Sequence, residues 1–291
     1  MIIAVYGRNI ADKNKAPVKH IFEKFKEKGF KVMVHKGFLD SLSPIVETNS
    51  FESFEFKKDI QNKANFMMSI GGDGTFLDAV AIVGDSNIPI MGINTGRLGF
   101  LANTNLEEVD KSIDDLKSGN YLLGKRMLLQ LETERKLFGD QNFALNDLTI
   151  FRKDSTQMIT TDSYINDEFL NTYWSDGLIV ATPTGSTAYS LSCGGPLVMP
   201  SSDCFVINPI APHNLNVRPI VVSDNKVIKL TIHGRAKEFL LGLDSRNEVI
   251  YPGEELKITR AKFEISVVRF KGQSFLNTLR DKLNWGADKR N

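Results

Sequence analysis

The chain has 291 residues and a formal net charge of +1, and 42% of its residues are hydrophobic and 24% charged. This length is enough for two domains that each bury a core, and the balanced charge gives no basis for nucleic-acid binding. No apolar run reaches the roughly 18 residues of a membrane span, and two cysteines and four scattered histidines predict neither a disulfide framework nor a metal cluster.

The first 103 residues predict a parallel sheet with helices in its connections. Residues 1–6 indicate a strand and lack the basic region of a signal peptide, so we expect a cytoplasmic protein with no membrane partner. Further strands are expected at 30–35, before Gly71 and at 87–94, with a helix at 76–83. Helical spacing also predicts an earlier helix, whose apolar face comprises Val18, Ile21, Phe22 and Phe25. Strands that alternate with helices predict a Rossmann-like α/β domain.

The rest of the chain changes character. A helix is expected from Asn105 to Gly119, and from residue 121 alternating apolar and polar runs between turn signals predict antiparallel strands. We therefore expect an α/β N-terminal domain with a parallel sheet at 1–120 and a β-rich, sandwich-like C-terminal domain at 121–270. A final helix within 271–291 is expected to pack back on the first domain.

The most informative segment is the turn at 71–75, which reads Gly-Gly-Asp-Gly-Thr and follows an apolar strand. A strand–turn–helix junction leaves backbone N–H groups unpaired at the helix start, and glycines let a ligand approach them. The pattern predicts a phosphate site in which Asp73 is a base or a ligand-orienting carboxylate. The alternative is a glycine-rich turn with an exposed aspartate. The spacing matches neither a dinucleotide fingerprint nor a P-loop.

Three further segments combine polar groups with glycines. Residues 182–196 crowd hydroxyls between glycines, which suits ribose and phosphate oxygens, although an exposed Ser/Thr turn has the same composition. Asn146 and Asp147 interrupt an apolar run, as a ligand contact, a bulge or a hairpin would. Residues 92–100 contain three glycines and Arg97, which suits a phosphate or a surface ion pair equally.

Together these motifs resemble those of the NAD kinase family. The resemblance is carried by Gly-Gly-Asp-Gly-Thr at 71–75, Asn-Thr-Gly-Arg-Leu-Gly-Phe at 94–100, Asn146 with Asp147, Ser-Asp-Gly at 175–177 and the hydroxyl-rich run at 182–192. Diacylglycerol kinases and 6-phosphofructokinases have turns similar to the first motif. The run at 182–192 is therefore the more specific part of the match.

The resemblance implies that the chain transfers the γ-phosphoryl group of ATP to the adenosine-ribose 2′-hydroxyl of NAD, with Asp73 as proton acceptor. Mg²⁺ is expected to arrive with ATP, held by no protein side chains alone, and the assembly to be a homodimer or homotetramer. The residues implied to contact NAD or ATP are Gly71, Gly72, Gly74, Thr75, Phe100, Asn146, Asp147, Asp176, Thr184, Thr187, Ala188, Tyr189, Ser190, Leu191, Ser192, Asp244 and Arg246.

Two alternatives and two departures accompany this interpretation. A lipid or sugar kinase could use the same glycine–aspartate turn, and a non-catalytic sensor could bind NAD without ATP turnover. The family often has Asp-Gly-Gln where this chain has Asp244, Ser245 and Arg246, and often glutamate at the position of Asp147.

Overall fold

The computed structural model describes residues 1–96, 99–153 and 157–284. The chain divides into two compact units, the first formed by Met1–Lys125 with Ile265–Asn291 and the second by Arg126–Glu264. Within the described part of the chain, none of the helices has both the length and the apolar character needed to cross a membrane.

The first unit contains a parallel sheet with helices between its strands. Its strands are β1 (Ile2–Gly7), β2 (Lys31–His35), β3 (Glu52–Phe54), β4 (Phe66–Gly71), β5 (Ile90–Asn94) and β6 (Thr104–Asn105). The main path is β3-β2-β1-β4-β5, with β6 beside β5. The helices are α1 (Lys15–Glu27), α2 (Lys36–Leu42), α3 (Lys57–Ile60), α4 (Asp73–Val83) and α5 (Val109–Ser118). The predicted α/β fold with a parallel sheet is confirmed.

Helix positions in this unit follow the apolar spacing of the sequence. The predicted face of α1 is buried as a whole, with Val18, Ile21, Phe22 and Phe25 in one core with β1 and β4. Helix α4 begins three residues before the apolar pattern does, because Gly72 takes an extended conformation and acts as its N-cap. The sequence did not predict α2, β3 and α3, which lie in the mixed stretch between residues 36 and 60, or the short strand β6.

The second unit is built from antiparallel strands in two layers. Its strands are β7 (Leu122–Glu132, which begins in the first unit), β8 (Phe143–Ala144), β9 (Asp147–Arg152), β10 (Ile159–Ile165), β11 (Glu168–Ser175), β12 (Gly177–Ala181), β13 (Cys204–Ile210), β14 (Ile220–Ser223), β15 (Ile228–His233), β16 (Phe239–Leu243), β17 (Arg246–Ile250) and β18 (Glu255–Arg269, which ends in the first unit). One layer has the order β14-β13-β12-β9-β16-β17, and the other contains β11-β10-β15-β18 with β7 and β8.

A single hydrophobic core joins the two layers of this unit. It contains Leu148 and Val180 from the first layer and Leu230 and Ile258 from the second, all fully buried. Strands that place alternate side chains on a shared core form a sandwich, so the predicted β-rich, sandwich-like domain is confirmed.

Two short helices complete the chain. Helix α6 (Tyr189–Ser192) is one turn long and lies in the hydroxyl-rich run. Helix α7 (Phe275–Leu283) belongs to the first unit and is capped by Ser274, whose hydroxyl accepts from the Asn277 N–H at 3.1 Å. The Phe275 ring lies 6.3 Å from that of Phe100.

Candidate functional site

The turn between β4 and α4 exposes backbone at the carboxyl end of the parallel sheet. A side chain at Gly71 would place its Cβ 2.3 Å from Thr75 Oγ1, so this position requires glycine. A Cβ on Gly72 would meet no atom within 4 Å, and one on Gly74 would meet only Arg8 Nη1, at 3.8 Å. The start of α4 therefore faces open space, where its unpaired N–H groups and its dipole favour an anion.

The Asp73 side chain holds the loop that follows β5. Its Oδ2 accepts from the Phe100 N–H at 2.9 Å, and its Oδ1 accepts from Leu101 and Ala102 at 3.1 and 3.0 Å. A Cβ on Gly99 would lie 1.8 Å from Oδ1, which explains the glycine in the second motif. Asp73 is thus not the freely exposed aspartate of the alternative interpretation. Its partly buried carboxylate joins two motifs that are about 25 residues apart.

The same loop is fixed from its other end by Asn94, the last residue of β5. The Asn94 amide donates to the Ala102 carbonyl at 3.1 Å, and its oxygen accepts from the Gly96 N–H at 2.7 Å. The loop around residues 94–102 is therefore anchored at both ends. Arg97, the cation in this motif, lies outside the described residues.

Arg8 is a site residue that the sequence reasoning missed. Its Nε and Nη2 each lie 2.7 Å from Asp78 Oδ2, and this leaves Nη1 directed toward Gly74. The Tyr6 hydroxyl donates to the same Asp78 oxygen at 2.9 Å, and burial together with Asp78 raises the pKa of Tyr6 to about 12. The sequence position of Arg8 could have identified it, because Arg8 directly follows β1 at the edge of the sheet where ligands bind.

In the second unit, Asp244 organises the predicted Asn146–Asp147 segment. Its Oδ2 accepts from the Leu145 N–H at 2.8 Å, and its Oδ1 accepts from Asn146 and Asp147 at 2.8 and 3.2 Å. The Asp244 N–H in turn donates a hydrogen bond to the Asp147 carbonyl at 3.0 Å. The polar pair therefore marks the junction between β8 and β9, which the carboxyl group of Asp244 holds through three backbone N–H groups.

Asp147 and Asp244 form an unusual pair of carboxyl groups. Burial, and then the charge of Asp244, raise the pKa of Asp147 to about 7. Burial also raises the pKa of Asp244, against the lowering effect of its three N–H donors and of Arg246. The Thr149 hydroxyl donates to Asp147 Oδ1 at 3.1 Å. Near neutral pH, Asp147 can therefore hold or release a proton at a position implied to contact the dinucleotide.

The hydroxyl-rich run packs directly against this segment. The Thr182 hydroxyl donates to the Leu145 carbonyl, and a Cβ on Gly185 would lie 2.0 Å from the Asn146 carbonyl oxygen. Ser186 Oγ donates to the Pro183 carbonyl at 2.7 Å and accepts from the Val198 N–H at 3.0 Å. Thr187 donates to the Thr184 carbonyl at 3.0 Å. Several of the hydroxyls thus form the loop itself and do not point at a ligand.

Two buried polar atoms, one in the run and one in β13, lack a hydrogen-bond partner within the part of the chain that the structure describes, whereas other side chains of the run are exposed. The Thr184 hydroxyl and the Asn208 amide oxygen are buried without a hydrogen-bond partner among the described residues, whereas Ser190 accepts from Asn208 at 3.3 Å. Tyr189 and Ser192 are exposed, and Ala188 and Leu191 are partly buried. A buried unpaired hydroxyl requires an explanation, and a ligand hydrogen bond is one that fits the motif.

Asp176 lies close to the same surface. Its carboxylate pairs with Arg152, with Nη1 and Oδ1 3.1 Å apart, and the Tyr189 ring lies 5.6 Å from that of Phe151. Burial is the largest cause of the raised pKa of Tyr189. The Cys193 thiol, and then the charges of Asp176 and Asp147, raise the pKa of Tyr189 further. The side chains of Asp147, Asp176 and Tyr189 therefore lie within electrostatic range of one another in the second unit.

The Arg246 side chain is held by hydrogen bonds to the protein backbone. Its guanidinium donates to the carbonyls of Gln141 and Phe143 and lies over the rings of Phe138 and Phe143, with 5.8 and 5.6 Å to the centroids. Where the family often has glutamine, this chain thus has a cation that fixes the 138–143 loop.

The first-unit residues of the prediction lie together around α4, and those of the second unit lie together around Asp147.

Comparisons with known proteins agree along the length of the chain. Residues 5–121 match the family model of the ATP-NAD kinase N-terminal domain, and residues 145–270 match that of the C-terminal domain. An NAD kinase from Cytophaga hutchinsonii is 48% identical over 293 residues, covering 100% of both chains.

Solved structures agree as well. A crystal structure of yeast NADH kinase complexed with NADH has a TM-score of 0.86 at 23% identity, covering 99% of this chain and 88% of that one, which shows the shared fold. An NAD kinase from Archaeoglobus fulgidus in complex with ATP has a TM-score of 0.74 at 26% identity, covering 98% and 99% of the two chains.

The raised pKa of Asp147 predicts a pH-dependent stability. Since that pKa is about 7 in the folded protein against 3.8 ordinarily, the folded protein keeps a proton that the unfolded chain releases as pH rises from about 4 to 7. The contribution of Asp147 to the stability of the wild-type chain therefore falls across this window. Asp147→Asn keeps an oxygen for Thr149, and its stability relative to wild type should rise by on the order of 2–4 kcal/mol over the same window. Urea unfolding at a series of pH values measures this, and parallel stability curves for the two proteins would contradict it.

Proposed function

This chain belongs to the NAD kinase family, and we propose that it transfers the γ-phosphoryl group of ATP to the 2′-hydroxyl of the adenosine ribose of NAD, giving NADP. The observation that carries the proposal is the combination of an open glycine turn holding Asp73 with a hydroxyl-rich loop folded onto Asn146 and Asp147. Family membership also disfavours the lipid or sugar kinase alternative.

We assign the phosphate groups of ATP to the first unit. The open side of Gly72 and Gly74 lets phosphate oxygens reach the N–H groups at the start of α4. Arg8 adds a guanidinium whose Nε edge is already held by Asp78, so little side-chain freedom is lost on binding. Phosphoryl transfer depends on alignment and charge neutralisation more than on covalent help, and these groups supply both.

NAD is assigned to the second unit. Carboxylates accept hydrogen bonds from ribose hydroxyls, which suits Asp147 and Asp176, and the exposed Tyr189 ring offers a face to the adenine ring. Asp244 and Arg246 act through the backbone, since one gathers the N–H groups of 145–147 and the other fixes the 138–143 loop.

Asp73 receives or orients the reacting hydroxyl. In the reaction the 2′-oxygen forms a bond to the γ-phosphorus, the bond to the β–γ bridging oxygen breaks, and ADP leaves. Oδ2 accepts one backbone N–H whereas Oδ1 accepts two, so Oδ2 has the free lone pair for the 2′-hydroxyl. Because three donors fix the carboxylate, orientation of the hydroxyl is its larger contribution.

The remaining parts of the proposal rest on family membership alone. They are a requirement for Mg²⁺, a homodimer or homotetramer, and a cytoplasmic location. The described residues contain no group of three or more side chains that could hold a metal. Mg²⁺ is usually bound through substrate phosphates, water and one or two carboxylates. When bound with ATP, the ion would neutralise charge on the β- and γ-phosphates.

The direct test of the proposed function is incubation of the purified chain with ATP, Mg²⁺ and NAD. We expect NADP and ADP to form in equal amounts. NAD binding without NADP formation would instead support a non-catalytic sensor and overturn the proposal.

Replacement of Asp73 should separate binding from turnover. We expect Asp73→Asn to change the apparent affinity for NAD by only a few-fold but to lower kcat by about 100-fold or more, the usual scale for loss of acid–base function. Steady-state kinetics measure both quantities. Asp85→Asn, at the other end of α4 and paired with Lys57, is the matched control and should keep wild-type kcat. Near-normal kcat in Asp73→Asn would remove Asp73 from the mechanism.

Arg8 should affect the two substrates differently. Loss of one charge-assisted hydrogen bond predicts a rise of about tenfold in KM for ATP in Arg8→Gln, with KM for NAD almost unchanged. Arg8→Lys should recover part of the loss, and the exposed Arg235→Gln should behave as wild type. Equal changes in KM for ATP and NAD would contradict the assignment of Arg8 to the donor phosphates.

A further inference from the structure

A cavity of about 780 Å³ lies in the first unit, at the amino ends of β1 and β2. Ile2 and Lys31, the first residues of these paired parallel strands, both line it. The glycine turn follows the carboxyl end of β4, which runs parallel to β1. At about 3.3 Å per residue, one strand length of roughly 16 Å separates the cavity from that turn. The cavity is therefore distinct from the site proposed for ATP.

The walls of this cavity are mainly apolar. Helix α1 contributes Phe22, whose ring lies 5.5 Å from that of Phe51 at a tilt of 35°. Val46 lines the same side, and Met33 lines it from β2. The described pairs between β2 and β3 begin only at Met33, so the amino end of β2 has no strand beside it on that edge. The volume and apolar lining are those of a small-molecule site.

The rim of the cavity carries an excess of unpaired positive charge. Lys19 pairs with Glu23 at 3.8 Å, and Glu52 pairs with Lys63 at 3.4 Å. Lys26 and Lys31 make no ion pair or side-chain hydrogen bond within the described part of the chain, and neither does Glu47, the remaining acidic residue of the rim. The lining has three lysines and three glutamates, and among them Lys26 and Lys31 are the ammonium groups without an ion pair in the described part of the chain, so these two can hold an anionic headgroup.

We propose that this cavity binds a medium-chain fatty acid, with the alkyl chain against Phe22, Phe51 and Val46 and the carboxylate at Lys26 and Lys31. An apolar wall with two unpaired ammonium groups beside it complements an aliphatic chain with one anionic end. Lysine ammonium groups form charge-assisted hydrogen bonds with carboxylates. ATP and NAD are too polar to satisfy these walls, because their phosphates and ribose hydroxyls would lie against carbon without partners. The proposal is independent of the kinase reaction.

Isothermal titration of the full-length chain with decanoate, below its critical micelle concentration, tests the proposal. We expect saturable binding at one site. Ser50→Trp places a large ring on an exposed lining residue, so the chain should fold normally, as circular dichroism can verify, and binding should be lost. The double variant Lys26→Gln/Lys31→Gln should bind about fivefold to tenfold more weakly, as expected for charge-assisted bonds at an exposed rim.

The controls decide where the ligand binds and what it must carry. Lys237→Gln, an exposed lysine of the second unit, should leave decanoate affinity unchanged, and decylammonium should not bind. Absence of saturable decanoate binding at millimolar concentration would overturn the proposal. So would decanoate binding that Ser50→Trp does not change, equal binding of decylammonium, or binding of decyl phosphate but not of decanoate.

Discussion

The hydrogen bonds from three consecutive N–H groups to the Asp73 carboxylate are the interaction on which the first unit's site depends. Phe100, Leu101 and Ala102 are contributed by the loop after β5, and Asp73 by the first turn of α4. Since a carboxylate with fixed donors cannot rotate freely, the group proposed to meet the 2′-hydroxyl is positioned before any ligand arrives. The same bonds hold the loop beside the open helix start. Asp73 thus links the glycine turn at the start of α4 to the loop after β5.

The second unit also has an aspartate that holds a loop by accepting hydrogen bonds from three backbone N–H groups. Asp244, in a left-handed conformation in the turn between β16 and β17, accepts from Leu145, Asn146 and Asp147. Here the anchored loop presents a second carboxyl group, Asp147, whose pKa is raised to about 7 by burial and by Asp244. In both units an aspartate carboxyl group is thus placed by backbone N–H donors.

Sequence reasoning succeeded where local pattern determines structure. The helical spacing of Val18, Ile21, Phe22 and Phe25 identified the buried face of α1, and the motifs identified the family. It failed between residues 36 and 60, where short elements carry no clear period. The composition of the run at 182–196 did not distinguish hydroxyls that can meet a ligand from those of Thr182 and Ser186, which bond to their own loop and its neighbours. Arg8 and the Asp244 anchor depend on contacts 70 or more residues apart in sequence, and no local pattern signals such contacts.

Amide hydrogen exchange at Phe100, Leu101 and Ala102 tests the central claim most directly, because these are the N–H groups that Asp73 is said to hold. In the wild-type chain these amides should exchange slowly. In Asp73→Ala they should exchange markedly faster, while the amide of Met91 in the adjacent strand β5 keeps its wild-type rate. Unchanged exchange at all three amides in Asp73→Ala would show that the carboxylate does not hold the loop, and the account given for the first unit would be wrong.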